Sequence, residues 1–260
     1  MDIIEGVEEV KLMRQAVVEA DRVGFVPTMG CLHAGHEALI KRSIDQNDVT
    51  IVTIYVNPAQ FDDPGDLRLY PGILQDDLAL LRGLGVDIVW LPQSSELYAD
   101  DYAYRVTETH VGKQLEGLCR PEHFDGVLSV VLKLLLVLRP HRVYFGEKDY
   151  QQLLLVKGMV RAFFLDVEVI GCPTVRTAEG LALSSRHARL SAEQLFLARR
   201  LHEILVRSAS CDEARGDLLT AGFEVEYVSD QWGRRLAAVS VAGVRLIDNI
   251  KLTSCINETV

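Results

Sequence analysis

The 260-residue chain is short of positive charge: 27 Lys and Arg stand against 37 Asp and Glu, a formal charge of -10. A general nucleic-acid binder carries a basic footprint, which this composition does not offer, although a local group of cations can still hold an anionic ligand against the global sign. Long hydrophobic runs are also missing. The longest, around Val127 to Leu138 and Leu153 to Phe164, are each broken by a lysine and are too short to cross a bilayer. No membrane span is expected. The start, Met1-Asp2-Ile3-Ile4-Glu5, lacks a cationic lead into an apolar core, so no secretory signal is read and the expected location is cytoplasmic. The five cysteines (Cys31, Cys119, Cys172, Cys211 and Cys255) form no Cys-x-x-Cys pair, which argues against a zinc clip or redox couple and for free thiols in a reducing compartment. Internal repeats and low-complexity segments are absent. So are a Gly-Lys-Ser/Thr phosphate loop and a Gly-x-Gly-x-x-Gly fingerprint, so any nucleotide must be cradled differently.

What is present is a core's worth of apolar residues, 48% of the chain, in short runs separated by charged and glycine-containing turns. Val7 to Ala20 reads as a helix with Val7, Val10, Leu12, Ala16 and Val17 as its stripe. Val23 to Pro27 and Val49 to Val56 read as strands, the second β-branched almost throughout, which favours a parallel sheet buried on both faces. Helices at 37–44, 73–84 and 151–164 alternate with strands at 87–92, 142–145 and 166–170. The expectation is an α/β fold, a doubly wound parallel sheet, with a smaller α+β domain after residue 174. That second domain opens on a helix that Ser191 and Gln194 can cap reciprocally, with Leu190 and Leu195 as its staple. Strands at 224–228, 236–241 and 244–250 follow, the last two joined through Ala242-Gly243.

The strongest local signal is Pro27-Thr28-Met29-Gly30-Cys31-Leu32-His33-Ala34-Gly35-His36, between a strand and a helix. Gly30 and Gly35 let the backbone turn and approach a ligand, and the helix start offers N–H groups to phosphate oxygens. His33 and His36 are three apart and can share one face of the first turn. They read as donors to phosphate, as helix caps, or as half of a metal site with no evident third ligand. Cys31 sits inside this motif without a neighbour that would mark it as a nucleophile.

Three further segments carry chemistry. Phe145-Gly146-Glu147-Lys148-Asp149-Tyr150-Gln151-Gln152 follows a strand, where ligands of doubly wound sheets bind: Lys148 can neutralise phosphate, Asp149 can accept from ribose hydroxyls, and Gln152 can point an amide at a polar substrate. Ser184-Ser185-Arg186 pairs two hydroxyls with a guanidinium, a phosphate clamp. Asn57-Pro58-Ala59-Gln60-Phe61 places neutral amides at a strand end, where they could read a small hydroxy acid or form a plain turn.

Together with Tyr70-Pro71, the run Arg120-Pro121-Glu122-His123-Phe124-Asp125-Gly126-Val127, Pro173 to Arg176 and the closing Arg245 to Ile250, these segments resemble the pantothenate synthetase (pantoate-beta-alanine ligase) family of the His-x-Gly-His nucleotidyltransferases. The likeness runs the length of the chain. It implies a Rossmann-like ATP- and pantoate-binding domain over 1–174, a C-terminal lid over 175–260, and a homodimer. The implied substrates are pantoate, beta-alanine and ATP with Mg2+; the reaction passes through pantoyl adenylate and yields pantothenate, AMP and pyrophosphate. The resemblance implies catalytic roles for His36, His33, Lys148 and Arg186. It places ATP on Met29, Gly30, Cys31, Leu32, His33, Ala34, Gly35 and His36, on Gly146, Glu147, Lys148 and Asp149, and on Val175, Leu183, Ser184, Ser185 and Arg186. Gln60 and Gln152 would hold pantoate, with Gln60 also bordering beta-alanine. Asn57, Tyr70, Glu116 and Arg120 would line the substrate cavity, and Asp76 and Asp77 match an acidic pair linked with the metal.

Several positions depart from the family pattern. Ala59 replaces a methionine, Gly72 an arginine, Leu183 a methionine of similar volume, and His187 an asparagine; Leu80 stands where a glutamine often accompanies the acidic pair. None removes a principal polar group. A related nucleotidyltransferase acting on a phosphorylated cofactor precursor would share His33 and His36 but have no use for Asn57, Gln60 and Gln152. A non-enzymatic scaffold on the same fold would be expected to lose His36, Lys148 or Arg186.

Overall fold

The structure, a computed structural model, describes residues 1–17, 21–62, 64–68, 70 and 72–252. The expected end of the first helix at Val18 to Ala20, Pro71 and Cys255 lie outside the described residues. The chain forms two compact units, Met1–Glu147 with Gln151–Pro173, and Lys148–Tyr150 with Thr174–Val260.

The first unit is built on six strands: β1 (Asp2–Ile4), β2 (Val23–Thr28), β3 (Val49–Ile54), β4 (Ile88–Trp90), β5 (Arg142–Gly146) and β6 (Glu168–Cys172). They run in the order β1-β4-β3-β2-β5-β6, every pairing parallel. The helices are α1 (Val7–Ala16), α2 (Ala34–Gln46), α3 (Pro64–Arg68), α4 (Leu74–Leu84), α5 (Ser94–Leu97), α6 (Glu116–Cys119), α7 (His123–Leu138) and α8 (Tyr150–Ala162). Val26, Val52, Val89 and Tyr144 from the sheet pack with Ile40 of α2 and Leu81 of α4. The expected stripe of α1 is partly buried: Val10 is buried and Val7 and Val17 half-buried, whereas Leu12 and Ala16 are exposed; Leu74 of α4 is exposed as well. From β2 the chain moves outward through β3, whereas β5 lies on the other side of β2. Ligands of such sheets enter at the carboxyl ends of the strands where the order reverses. Here the order reverses at β2, between β3 and β5.

The second unit contains α9 (Ala192–Arg207), α10 (Cys211–Ala221) and an antiparallel sheet of β7 (Glu224–Gln231), β8 (Arg234–Val241) and β9 (Val244–Lys251). Ser191 and Gln194 form the expected reciprocal cap. Leu201, Ile204 and Leu205 of α9 pack with Leu218, Val239 and Leu246. The β8–β9 turn puts both Ala242 and Gly243 at positive φ, the geometry that matches the twist of a two-residue hairpin.

Candidate active site

At the end of β2 the Thr28 hydroxyl donates to the Thr53 carbonyl at 2.7 Å and accepts from the Gly30 N–H at 3.2 Å. Gly30 turns the chain at φ +78, and a Cβ there would stand 2.9 Å from Asp77 Oδ2 and 3.0 Å from Ile54 Cγ2. Cys31 follows at φ +52, an uncommon conformation for a side-chain-bearing residue. Asp77, buried on α4, holds it there: its two oxygens accept from the Cys31 and Leu32 N–H groups, each at 2.8 Å. Burial, and after it the Asp77 carboxylate, push the Cys31 thiol up. A thiol shifted that way is a poorer nucleophile.

The helix after this loop is capped by histidines. His33 Nδ1 accepts from the Gly35 N–H at 3.1 Å, and the His33 N–H donates to His36 Nδ1 at 3.3 Å. Their ring centroids are 4.1 Å apart. An accepting Nδ1 puts the remaining proton of a neutral imidazole on Nε2, so each ring is fixed as an Nε2–H donor. Gly35 is needed because a Cβ there would lie 2.8 Å from the His33 ring.

Beyond β3 a 3-10 turn over Pro58–Gln60 carries the neutral amides. Asn57 is buried; its Nδ2 donates to Gln60 Oε1 at 3.2 Å and to the Gly126 carbonyl of α7 at 3.1 Å, and its Oδ1 accepts from Tyr98 at 2.9 Å. Gln60 Nε2 donates to the Met29 thioether at 3.1 Å. The Gln60 carbonyl receives two donors, Arg120 Nη2 at 3.0 Å and His123 Nδ1 at 2.8 Å. Arg120 also reaches His123 Nε2 at 3.3 Å and the Asp62 carboxylate at 3.3 Å. His123 is therefore a neutral Nδ1–H tautomer with Nε2 accepting. Burial first, then the Arg120 charge, lower its pKa to about 4, against the Gln60 carbonyl, Glu116 and Asp62.

Gln151, buried at the start of α8, clamps the loop ahead of α6: Nε2 donates to the Val111 and Gln114 carbonyls at 2.7 and 2.8 Å, and Oε1 accepts from the Glu116 N–H at 3.1 Å. Gln152 is half-buried and its amide has no hydrogen-bond partner among the described residues. The Tyr70 ring meets Phe61 edge-on, centroids 5.9 Å apart.

In the second unit Lys148, Ser184, Arg186 and His187 line one small pocket with Arg245 and Asp248. Ser184 Oγ accepts from the Arg186 N–H at 3.3 Å and caps the 3-10 turn Ser185–Arg189. The Leu183 N–H donates to the Val175 carbonyl at 3.0 Å. Lys148 Nζ lies 3.8 Å from Asp149 Oδ2.

The pantoate-beta-alanine ligase family model matches residues 2–251. The chain is 49% identical over 248 residues to the pantothenate synthetase of Coxiella burnetii (strain RSA 331 / Henzerling II), covering 95% of this chain and 96% of the relative. It is 45% identical to that of Legionella pneumophila (strain Lens), covering 97% and 100%. The chain belongs to the pantoate-beta-alanine ligase family. A Francisella tularensis member of this family, solved with beta-gamma ATP and beta-alanine, superposes with a TM-score of 0.92 at 39% identity, covering 96% of this chain and 97% of that one. The Thermus thermophilus pantothenate synthetase gives 0.88 at 39% identity, covering 96% and 99%.

Several of the residues singled out by sequence make contacts within the protein. The Cys31 and Leu32 N–H groups are both taken by Asp77. The Gly35 N–H is likewise taken by His33. Asp77, expected beside a metal, straps the turn at Cys31 and Leu32; Asp76 next to it is exposed. Asn57, expected to line the substrate cavity, is buried and organises the turn that carries Gln60. Among the described residues no three His, Cys, Asp or Glu side chains converge as a metal site. His123, Asp62, Gln151 and Tyr98 have no role assigned by sequence pattern. A histidine three residues after Arg120 is the available signal for the first; the others depend on contacts distant in sequence.

Proposed function

We propose that this chain joins pantoate to beta-alanine with ATP, giving pantothenate, AMP and pyrophosphate through pantoyl adenylate. The chain-long family match, residues 2–251, carries the reading. The chemistry needs two displacements. A pantoate carboxylate oxygen bonds to the α-phosphorus as the bridging oxygen to the β-phosphorus leaves with pyrophosphate; the beta-alanine amine then bonds to the acyl carbon as AMP leaves and the nitrogen gives up its proton. Neither step needs a protein nucleophile. What the protein must supply is alignment, cation to oppose phosphoryl charge, and exclusion of water from a reactive anhydride.

The residues suit those tasks. The Nε2–H groups of His33 and His36 are neutral donors for phosphate oxygens, and His36 is the proposed proton donor. The cations of the second unit, Lys148 and Arg186, with the Ser184 and Ser185 hydroxyls, are proposed to take the triphosphate, and Gly146 to Asp149 with Val175 and Leu183 the nucleoside side. Gln60 is proposed to hold pantoate and border beta-alanine, with Gln152 as the second pantoate ligand and Tyr70, Glu116 and Arg120 near the cavity wall. A strong amide donor resting on a weak thioether acceptor, Gln60 on Met29, exchanges readily for a carboxylate or hydroxyl. Magnesium enters with ATP, as part of the substrate. Asp76 and Asp77 do not fit a protein-built magnesium site, because one is exposed and the other is turned to two backbone N–H groups.

A homodimer in the cytoplasm completes the proposal. It rests on the family resemblance; no helix among the described residues is long and apolar enough to cross a membrane. Light scattering on the eluted protein would test the dimer. The reaction is tested by pantoate-dependent exchange of labelled pyrophosphate into ATP with beta-alanine left out. Exchange that requires pantoate is the expected outcome, and a folded, ATP-binding protein without it would defeat the adenylate mechanism.

A further inference from the structure

The segment Lys148–Tyr150 follows β5 in sequence, yet its contacts place it with the second unit. The cause is on β9. Asn249, almost fully buried, donates from Nδ2 to the Lys148 carbonyl at 2.9 Å. Its own amide is held on the other side, where Oδ1 accepts from Arg234 Nη1 at 2.7 Å. The Arg234 guanidinium also lies 4.1 Å over the Tyr150 ring, so both ends of the three-residue segment are gripped. The backbone of Asn249 is fixed too: its carbonyl accepts from Arg176 Nη2 at 3.0 Å, and its N–H donates to Asp248 Oδ1 at 2.7 Å. Arg176 meets Asp248 through two parallel bonds of 2.6 and 2.8 Å, the fork-to-fork geometry that adds direction as well as strength. Every link from that ion pair to the Lys148 carbonyl is therefore a directed hydrogen bond.

We propose that Asn249 is a positioning residue for Lys148: by holding the Lys148 carbonyl to β9, it keeps the lysine side chain in the pocket with Ser184 and Arg186. A lysine carries a point charge on a flexible stem, so its placement depends on where its backbone is pinned. Asn249 has no exposed surface with which to meet a ligand, and its amide faces the protein on both sides. The inference rests on the reading of Lys148 and Arg186 as triphosphate ligands.

Asn249→Asp breaks the bond and adds a negative charge that pairs with Arg234. It matches the asparagine in shape and keeps an acceptor for Arg234, but it replaces the donor to the Lys148 carbonyl with an oxygen. The expected result is an ATP KM raised about 10-fold, the scale of one directed hydrogen bond, with pantoate and beta-alanine KM values within about 2-fold of wild type. Calorimetric affinity for a non-hydrolysable ATP analogue falls in parallel. Arg234→Ala, which removes the anchor and leaves Asn249 in place, moves the same two quantities in the same direction by less, and it remains informative if Asn249→Asp fails to fold. Lys148→Ala is measured beside them. Unchanged ATP affinity in Lys148→Ala would overturn the reading of Lys148 itself. A large loss in Lys148→Ala with wild-type ATP affinity in a folded Asn249→Asp would overturn only the positioning role. A uniform fall in kcat with every KM unchanged would also overturn it, since that pattern marks a merely structural residue.

Discussion

Gly30 shows how little freedom the loop after β2 has. At φ +78, with Asp77 and Ile54 within 3.0 Å of a would-be Cβ, an alanine strains the backbone and also pushes on the carboxylate that straps Cys31 and Leu32. Gly30→Ala should fold and lose pantoate-dependent pyrophosphate exchange by about 100-fold, the scale of a displacement near 1 Å at a reacting centre. Exchange at more than half the wild-type rate would show that the loop tolerates another path. Asp77 offers a test between two roles. Asp77→Asn keeps one acceptor and turns an NH2 toward a backbone N–H, a loss of about 1–3 kcal/mol for a buried unsatisfied donor. In urea unfolding that loss should be the same with and without magnesium. A wild-type stability combined with a raised magnesium requirement would return Asp77 to the metal.

At the scale of elements, α7 acts on the site through contact with a turn. A Cβ on Gly126 would fall onto the Ala59 carbonyl and 2.7 Å from the Gln60 nitrogen, so the helix lies directly against the backbone that carries Gln60. Gly126→Ala should cost about 1–3 kcal/mol as overpacking and raise the pantoate KM several-fold by moving Gln60; a destabilised variant with a wild-type pantoate KM would break that link. The alternation of strand and helix was readable because β-branched runs such as Val49 to Ile54 have one plausible state. The start of α9 was readable because its reciprocal cap lies within four residues. By contrast α7 is strongly apolar, ten of its sixteen residues being buried, and its few polar residues do not set it apart from a buried strand by composition. Strand β1 has three residues and is defined only by its register against β4, which lies more than eighty residues away. The turn and helix start around His33 and His36 were readable in the sequence; their dependence on Asp77, forty-six positions on from Cys31, was not, because no local pattern distinguishes a carboxylate that caps a distant loop from one on a helix surface.

For the whole molecule, the sheet order β1-β4-β3-β2-β5-β6 arises from crossovers that leave no mark in any single segment, and it brings Arg120 and His123 of one region against Gln60 of another. That half-buried junction makes stability depend on pH. His123 is lowered from 6.5 to about 4, by burial first and then by Arg120, because a proton on Nε2 would turn an acceptor into an N–H facing the guanidinium. Glu116 and Asp62 offset this in part. Between those two values the unfolded chain binds a proton that the folded first unit does not, so stability rises with pH across the window and is lost as pH falls from 6.5 toward 4. At 1.36 kcal/mol per pKa unit the loss is about 3 kcal/mol. With Trp232 replaced by Phe, the buried Trp90 reports on the first unit alone, which avoids treating two units as one transition. His123→Asn keeps a donor near the Nδ1 position but cannot titrate. Its urea midpoint at pH 7 should sit slightly below that of the Trp232→Phe parent, and the two should converge or cross as pH drops to about 4, since the carboxylates common to both cancel in the difference. Parallel pH profiles for the two proteins would mean that His123 takes up its proton as readily in the folded chain as in the unfolded one, and that burial and Arg120 do not hold it neutral.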